Sequence, residues 1–193
     1  YLFFASGENN FARLPVLSEN VQDIAPITDS LGFSDKISIV AFFGRDLQQI
    51  KGNTFNLDKK ILEKYYEFND FQFIILLPEG MEAEAEAFAE EFKNVAGTRY
   101  WNFVFASEEE IGEIFSGLKT PHRLDENLYS PYVFIVDKEL KLRGRDDDED
   151  YGKVYGYDSR SVADLSNKMN DDVKVVLAEY RLALKKNSAD RKN

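Results

Sequence analysis

The 193-residue sequence predicts an α/β fold, a mixed central sheet with helices on both faces. Two runs, "ISIVAFFG" (37–44) and "FQFIILL" (71–77), are almost continuously apolar and rich in β-branched or aromatic residues. That is the pattern of strands buried on both faces. Segments with helical apolar spacing alternate with such runs, which implies parallel pairing through right-handed crossovers. Near the end, two short apolar runs lie one tight turn apart and add an antiparallel edge.

Residues 1–36 carry Gly7, Pro15, Pro26 and Gly32 between short apolar pieces. They read as an irregular N-terminal segment packed on the domain, with 37–193 as the domain itself and no second domain. The strand at 37–44 runs through the polar turn "GRDLQQIKG" into a helix with Leu57, Ile61, Leu62, Tyr65 and Tyr66 on one face. Asn53 or Thr54 is its expected N-cap. The strand at 71–77 is ended by Pro78 and Gly80, and 81–95 form an Ala/Glu-rich helix facing inward through Ala85, Phe88, Ala89 and Phe92.

A third strand, "YWNFVFA", precedes Ser107, which stands three residues before Glu110. That is capping-box spacing, and it opens a helix containing Ile111, Ile114, Phe115 and Leu118. After a loop at 119–130, "PYVFIVD" and "LKLRG" form a hairpin about Lys138–Glu139. The acidic run "DDDED" (146–150) reads as a mobile solvated turn of mutually repelling charges. The tyrosines of "YGKVYGY" are expected to pack on the sheet edge or the final helix rather than form an interface. That helix spans about 159–186, with a stripe of Val162, Leu165, Met169, Val173, Val176, Leu177, Tyr180 and Leu184.

Composition limits the chemistry. Hydrophobic content of 44% supports a packed core, and a chain of this length buries roughly 70% of its unfolded surface. The net charge of −11 disfavours a nucleic-acid partner, because phosphate binding needs concentrated Lys and Arg. Zero cysteines exclude disulfides, thiol catalysis, iron–sulfur clusters and thiolate metal sites. A single histidine, His122, excludes a multi-histidine metal site. "DDDED" lacks the spaced Asp/Asn–Gly pattern of a calcium loop, and "GRDLQQIKG" lacks the Gly and Lys spacing of a phosphate loop. No metal or cofactor is therefore expected.

The element order, together with "SPYVFIVDKELKLRG", resembles the thioredoxin fold. There a proline, typically cis, precedes a strand ending in "ID" and a hairpin. Pro131 holds that place, and the resemblance implies a cis Ser130–Pro131 bond. Within that superfamily, residues 11–186 resemble the Sco/SenC family, the copper chaperones of cytochrome c oxidase assembly. "VAFFG" is similar to its strand before the metal turn, and "PEGMEAEAEAFAEEF" stands where the family has "DP" and a helix. "YWNFVFASEEEIGEIFSGL" is similar to its "W-x-F-x-x-G-x-x-E-E-I" segment.

The family's chemistry needs two cysteines and a histidine. Counting without gaps from Gly44, Gln48 and Gly52 stand at the cysteine positions. Counting back from Asp137, Tyr129 stands at the histidine position. Amide, glycine and phenol cannot replace two thiolates and an imidazole around copper. Gln48, Gly52, Tyr129 and Pro131 thus mark a vestigial site, and a positive φ at Gly52 would penalise any side chain there.

The resemblance implies a non-redox binding or assembly module linked to respiratory oxidase biogenesis, with protein partners among its assembly components. It also implies an extracytoplasmic position behind an N-terminal membrane tether, of which "YLFFAS" would be the outer edge. Two other readings stay open. One is an enzyme with a site around Arg45, Asp46, Tyr129 and His122. The other is a small-molecule sensor using the vacated cleft. An open polar cleft favours the latter two, and one filled by Tyr129 and its neighbours favours the binding module.

Overall fold

A computed structural model describes residues 12–95 and 100–190. Its strands are β1 (Val16–Ser18), β2 (Ile37–Phe42), β3 (Phe71–Pro78), β4 (Trp101–Ala106), β5 (Tyr132–Val136), β6 (Leu142–Arg143), β7 (Arg145–Asp148), β8 (Gly152–Val154) and β9 (Tyr157–Asp158). The main sheet has the order β1-β6-β5-β2-β3-β4, with β9 added beside β5, while β7 and β8 form a separate hairpin. β2, β3 and β4 pair in parallel, with Ile37 opposite Phe71 and Phe73 opposite Trp101. β5 runs antiparallel to β2 and to β6. The mixed sheet and its antiparallel β5–β6 hairpin are as the apolar pattern predicts, but β1, not β6, forms that edge.

Among the described residues, four helices flank the sheet. α1 runs through Lys51–Leu57, a π-helical turn at Asp58–Leu62 and Glu63–Tyr65. α2 is Glu82–Glu91, and α3 is Glu108–Gly117. α4 enters through the π-helical stretch Asp164–Met169 and continues over Asn170–Asp190. Alternation along the strands splits the core into two. Ile37, Ile39, Ala41, Phe73 and Ile75 face one side, with α1, α2 and α4. Val40, Phe42, Ile74 and Leu76 face the other, against α3 and the segment holding Val21, Ile24 and Phe33. Each of these large apolar side chains, fully buried, contributes about 1.5–3 kcal/mol.

Several elements differ from expectation. Within the segment read as irregular, Val16–Ser18 forms a strand against β6. α1 starts at Lys51 with Ile50 as its cap, so Asn53 and Thr54 lie inside the helix, and Thr54 donates back to the Ile50 carbonyl. Val162, in the first helical turn leading into α4, is exposed, while Leu165, Met169, Val173, Val176 and Leu177 are buried. The side chain of Leu184 and the stretch "YLFFAS" lie outside the described residues.

The acidic run is solvated at Asp146, Asp147, Glu149 and Asp150, as expected, but its middle residue is built into the structure. Asp148 is buried and accepts from Lys168 Nζ (2.6 Å) and from Arg145 (3.2 Å). Arg145 in turn grips Asp172 of α4, which also takes the Tyr157 hydroxyl at 2.7 Å. Opposite charges, Lys168 among them from α4, cancel the repulsion that the sequence order alone suggests. Tyr157 is buried there and Tyr155 partly buried, as the packing reading of "YGKVYGY" expects, whereas Tyr151 is exposed with Lys168 over its ring.

No peptide bond among the described residues is cis, so the expected cis Ser130–Pro131 bond is not found. The Ser130 amide donates to the Phe42 carbonyl, and Phe43 bridges Tyr129, which carries the antiparallel ladder up to the proline. The Pro131 carbonyl accepts from the amide and hydroxyl of Ser159. The extended trans path satisfies every one of these groups, and trans is the default for X–Pro by about 0.5–1 kcal/mol.

Candidate functional site

Where β2 leaves the sheet, Gly44 takes a φ of +65°. A Cβ there would meet the Asn127 carbonyl at 2.5 Å and Tyr129 Cβ at 2.9 Å, so only glycine lets the loop before β5 lie against the turn. The Arg45 amide donates to the Asn127 carbonyl at 3.0 Å. Asp125 holds the loop from its other side, its Oδ1 accepting the amides of Asn127 and Tyr129. The turn and the loop thus form one end of the sheet, where strand–turn–helix proteins place their chemistry.

Tyr129 fills that end. Asn53 of α1 donates to its hydroxyl at 3.1 Å, and Ser159 lies beside it on the wall of a small cavity. Half-burial pushes the phenol above its ordinary pKa, although Asn53 and Ser159 oppose that, so Tyr129 is a neutral hydroxyl at pH 7. Beside it, Phe43, Ile50, Thr54, Leu57 and Val133 help enclose a cavity of about 10 Å³. That is room for about one water molecule and no ligand.

The four vestigial positions occupy different environments. Gln48 is exposed and reaches away to Glu91 of α2 at 3.4 Å. Gly52 lies in the first turn of α1, with no atom within 4 Å of the place a Cβ would take and without a positive φ. The expected backbone penalty there is therefore absent. Tyr129 faces Asn53, and Pro131 leads into β5 through a trans bond. An amide, a bare glycine and a half-buried phenol are not a donor set for copper.

The residues of the enzyme reading are each engaged with separate partners. Arg45 pairs with Glu108 of α3, and Asp46 accepts the Gln49 amide. His122 stacks on Tyr132 with ring centroids 3.6 Å apart. Burial lowers the His122 pKa, and Asp158 only partly opposes that. Lys51 adds a further ion pair over the turn, to Glu91 at 2.5 Å. Sequence reasoning missed Asn53 as a partner of Tyr129 and missed Ser159 altogether. The Asn53 contact spans 76 residues, and Ser159 comes from the segment after β9. Among the described residues no three His, Cys, Asp or Glu side chains gather to hold a metal ion. No described helix is long and apolar enough to cross a membrane.

No protein-family model matches the chain, and no curated protein matches its sequence. Its structure is similar to the solution structure of a protein disulfide isomerase candidate from Bacteroides thetaiotaomicron. That match has a TM-score of 0.57 at 15% identity and covers 86% of this chain and 95% of the other. A weaker similarity, with a TM-score of 0.42 and 17% identity, is to the thioredoxin domain of a thiol-disulfide oxidoreductase from Bacteroides vulgatus, covering 81% and 92%. At 15% identity the first likeness shows the fold alone. The chain has a thioredoxin-like α/β fold.

Proposed function

We propose that this chain is a thioredoxin-fold protein-binding module that works without thiol or copper chemistry. The observation that carries the reading is the filled end of the sheet. Tyr129, Asn53 and Ser159 close the space beside the turn to about 10 Å³, in a chain without cysteine. A catalytic or sensing cleft at this place needs room that these side chains occupy. The turn's polar side chains are also engaged, Arg45 with Glu108, and Gln48 and Lys51 with Glu91.

The finer assignment rests on the resemblance of three sequence segments to the Sco/SenC family. On that basis the module acts outside the cytoplasm, tethered to the membrane, with partners among the assembly components of the respiratory oxidase. Fold alone does not fix such a role. The test is deletion of the gene in its own organism, with oxidase activity and assembled oxidase measured in membranes. Lowered oxidase that the wild-type gene restores is the expected result. Unchanged oxidase in the deletion strain overturns the oxidase link.

A further inference from the structure

Gly112 stands in the interior of α3, where glycine costs about 0.5–1 kcal/mol relative to alanine. Nothing in the fold requires it. Its φ is not positive, and no atom lies within 4 Å of the place a Cβ would take. What the missing side chain leaves is a groove of about 320 Å³ between α3 and the loop at 120–124.

The groove is lined by both apolar and polar residues. Phe115 and Leu124 line it beside Gly112, and Ser116, Thr120, His122 and Arg123 complete it. The loop is set by the His122 amide, which donates to Thr120 Oγ1 at 3.2 Å. The imidazole is fixed flat by its stack on Tyr132, the planes inclined by 19°. Arg45, Arg143, Arg145 and Arg160 each hold a carboxylate. Arg123 holds none among the described residues, and unlike Arg181, which also holds none and lies over the Phe68 ring, it lines a groove. Two acids near the loop are engaged elsewhere, Asp158 by Arg160 and Asp125 by the amides of Asn127 and Tyr129.

We infer that this groove binds a small organic carboxylate with a compact apolar body. The planar guanidinium of Arg123 presents paired N–H groups that match a carboxylate. The body lies over Gly112, between Phe115, Leu124 and the flat His122 ring. A volume near 320 Å³ falls at the small end of ligand sites, about 300–1,000 Å³, and suits a single ring. The net charge of −11 repels polyanions, which favours a monocarboxylate over a phosphate compound. This inference goes beyond the binding-module reading and does not depend on it, because the groove lies apart from Tyr129 and its cavity.

The experiment titrates ¹⁵N-labelled protein with phenylacetate, phenylacetamide and inorganic phosphate, following amide shifts. Phenylacetate should give saturable shifts confined to Gly112, Ser116 and the loop at 120–124. Phenylacetamide and phosphate should bind at least ~10-fold more weakly, since each lacks one half of the match. Arg123→Gln and Gly112→Leu should each weaken phenylacetate at least ~10-fold. Gly112→Leu should melt no lower than wild type, because it replaces a helix-interior glycine facing open space. Absence of saturable shifts overturns the inference. So do shifts that survive both substitutions, or a phosphate affinity equal to that of phenylacetate.

Discussion

Tyr129 shows how one side chain decides what this end of the sheet can do. Its hydroxyl accepts from Asn53 and lies beside Ser159, so α1 and the segment after β9 meet over the turn. Tyr129→Phe removes that hydrogen bond and leaves the Asn53 amide unmatched in a half-buried place. A loss of about 1 kcal/mol, read from urea denaturation, is expected. Asp148 sets a second residue-scale property. Burial alone would raise its pKa, but Lys168 and the amides of Asp150 and Tyr151 hold it below the ordinary 3.8. A carboxylate depressed in the folded state stabilises fully above its unfolded value and loses that contribution as pH falls through the folded value. The urea midpoint of the wild type should therefore drop below about pH 4. Asp148→Asn should be less stable at pH 7 and show a shallower acid limb. An acid limb identical to wild type would show that Asp148 has no part in it.

At the scale of elements, α3 shows what the sequence states outright. Ser107 accepts the Glu110 amide and the Glu110 carboxylate accepts the Ser107 amide, the reciprocal cap that the spacing of the two residues predicts. Ser107→Ala should cost about 1 kcal/mol of stability, measurable by thermal or urea unfolding. The parallel strands were equally legible, because β2 and β3 are buried on both faces and composition alone reports that. β1 and β7 were not. β1 is a three-residue edge strand after a proline, and β7 is made of Arg and Asp residues, of which Arg145 and Asp148 have partners on α4. The candidate site was half legible: counting from Asp137 found Tyr129, while nothing local marks Asn53 or Ser159 as its partners. The trans Ser130–Pro131 bond was hidden for the same reason, since the groups that fix it are Phe42 and Ser159.

On the scale of the whole molecule, buried polar links tie the late elements to the sheet. Arg143 of β6 binds Asp137, Glu179 of α4 and the Leu14 carbonyl, which joins the hairpin, the last helix and the N-terminal segment. Arg143→Met strands two carboxylates in a largely buried setting, and a loss of about 3–5 kcal/mol in unfolding free energy is expected. Above these links the central claim is that the thioredoxin-like platform is closed where its chemistry would sit. A chain without cysteine offers a clean probe, since any introduced thiol is the only one present. Thr54 lies at the wall of the small cavity with 2% of its surface exposed, whereas Gln48 is exposed on the turn. The deciding measurement is the rate at which iodoacetamide alkylates Thr54→Cys and Gln48→Cys under native conditions. The account predicts rapid labelling at 48 and labelling at 54 limited by unfolding of the protein; comparable fast rates at both positions would mean an open cleft and contradict it.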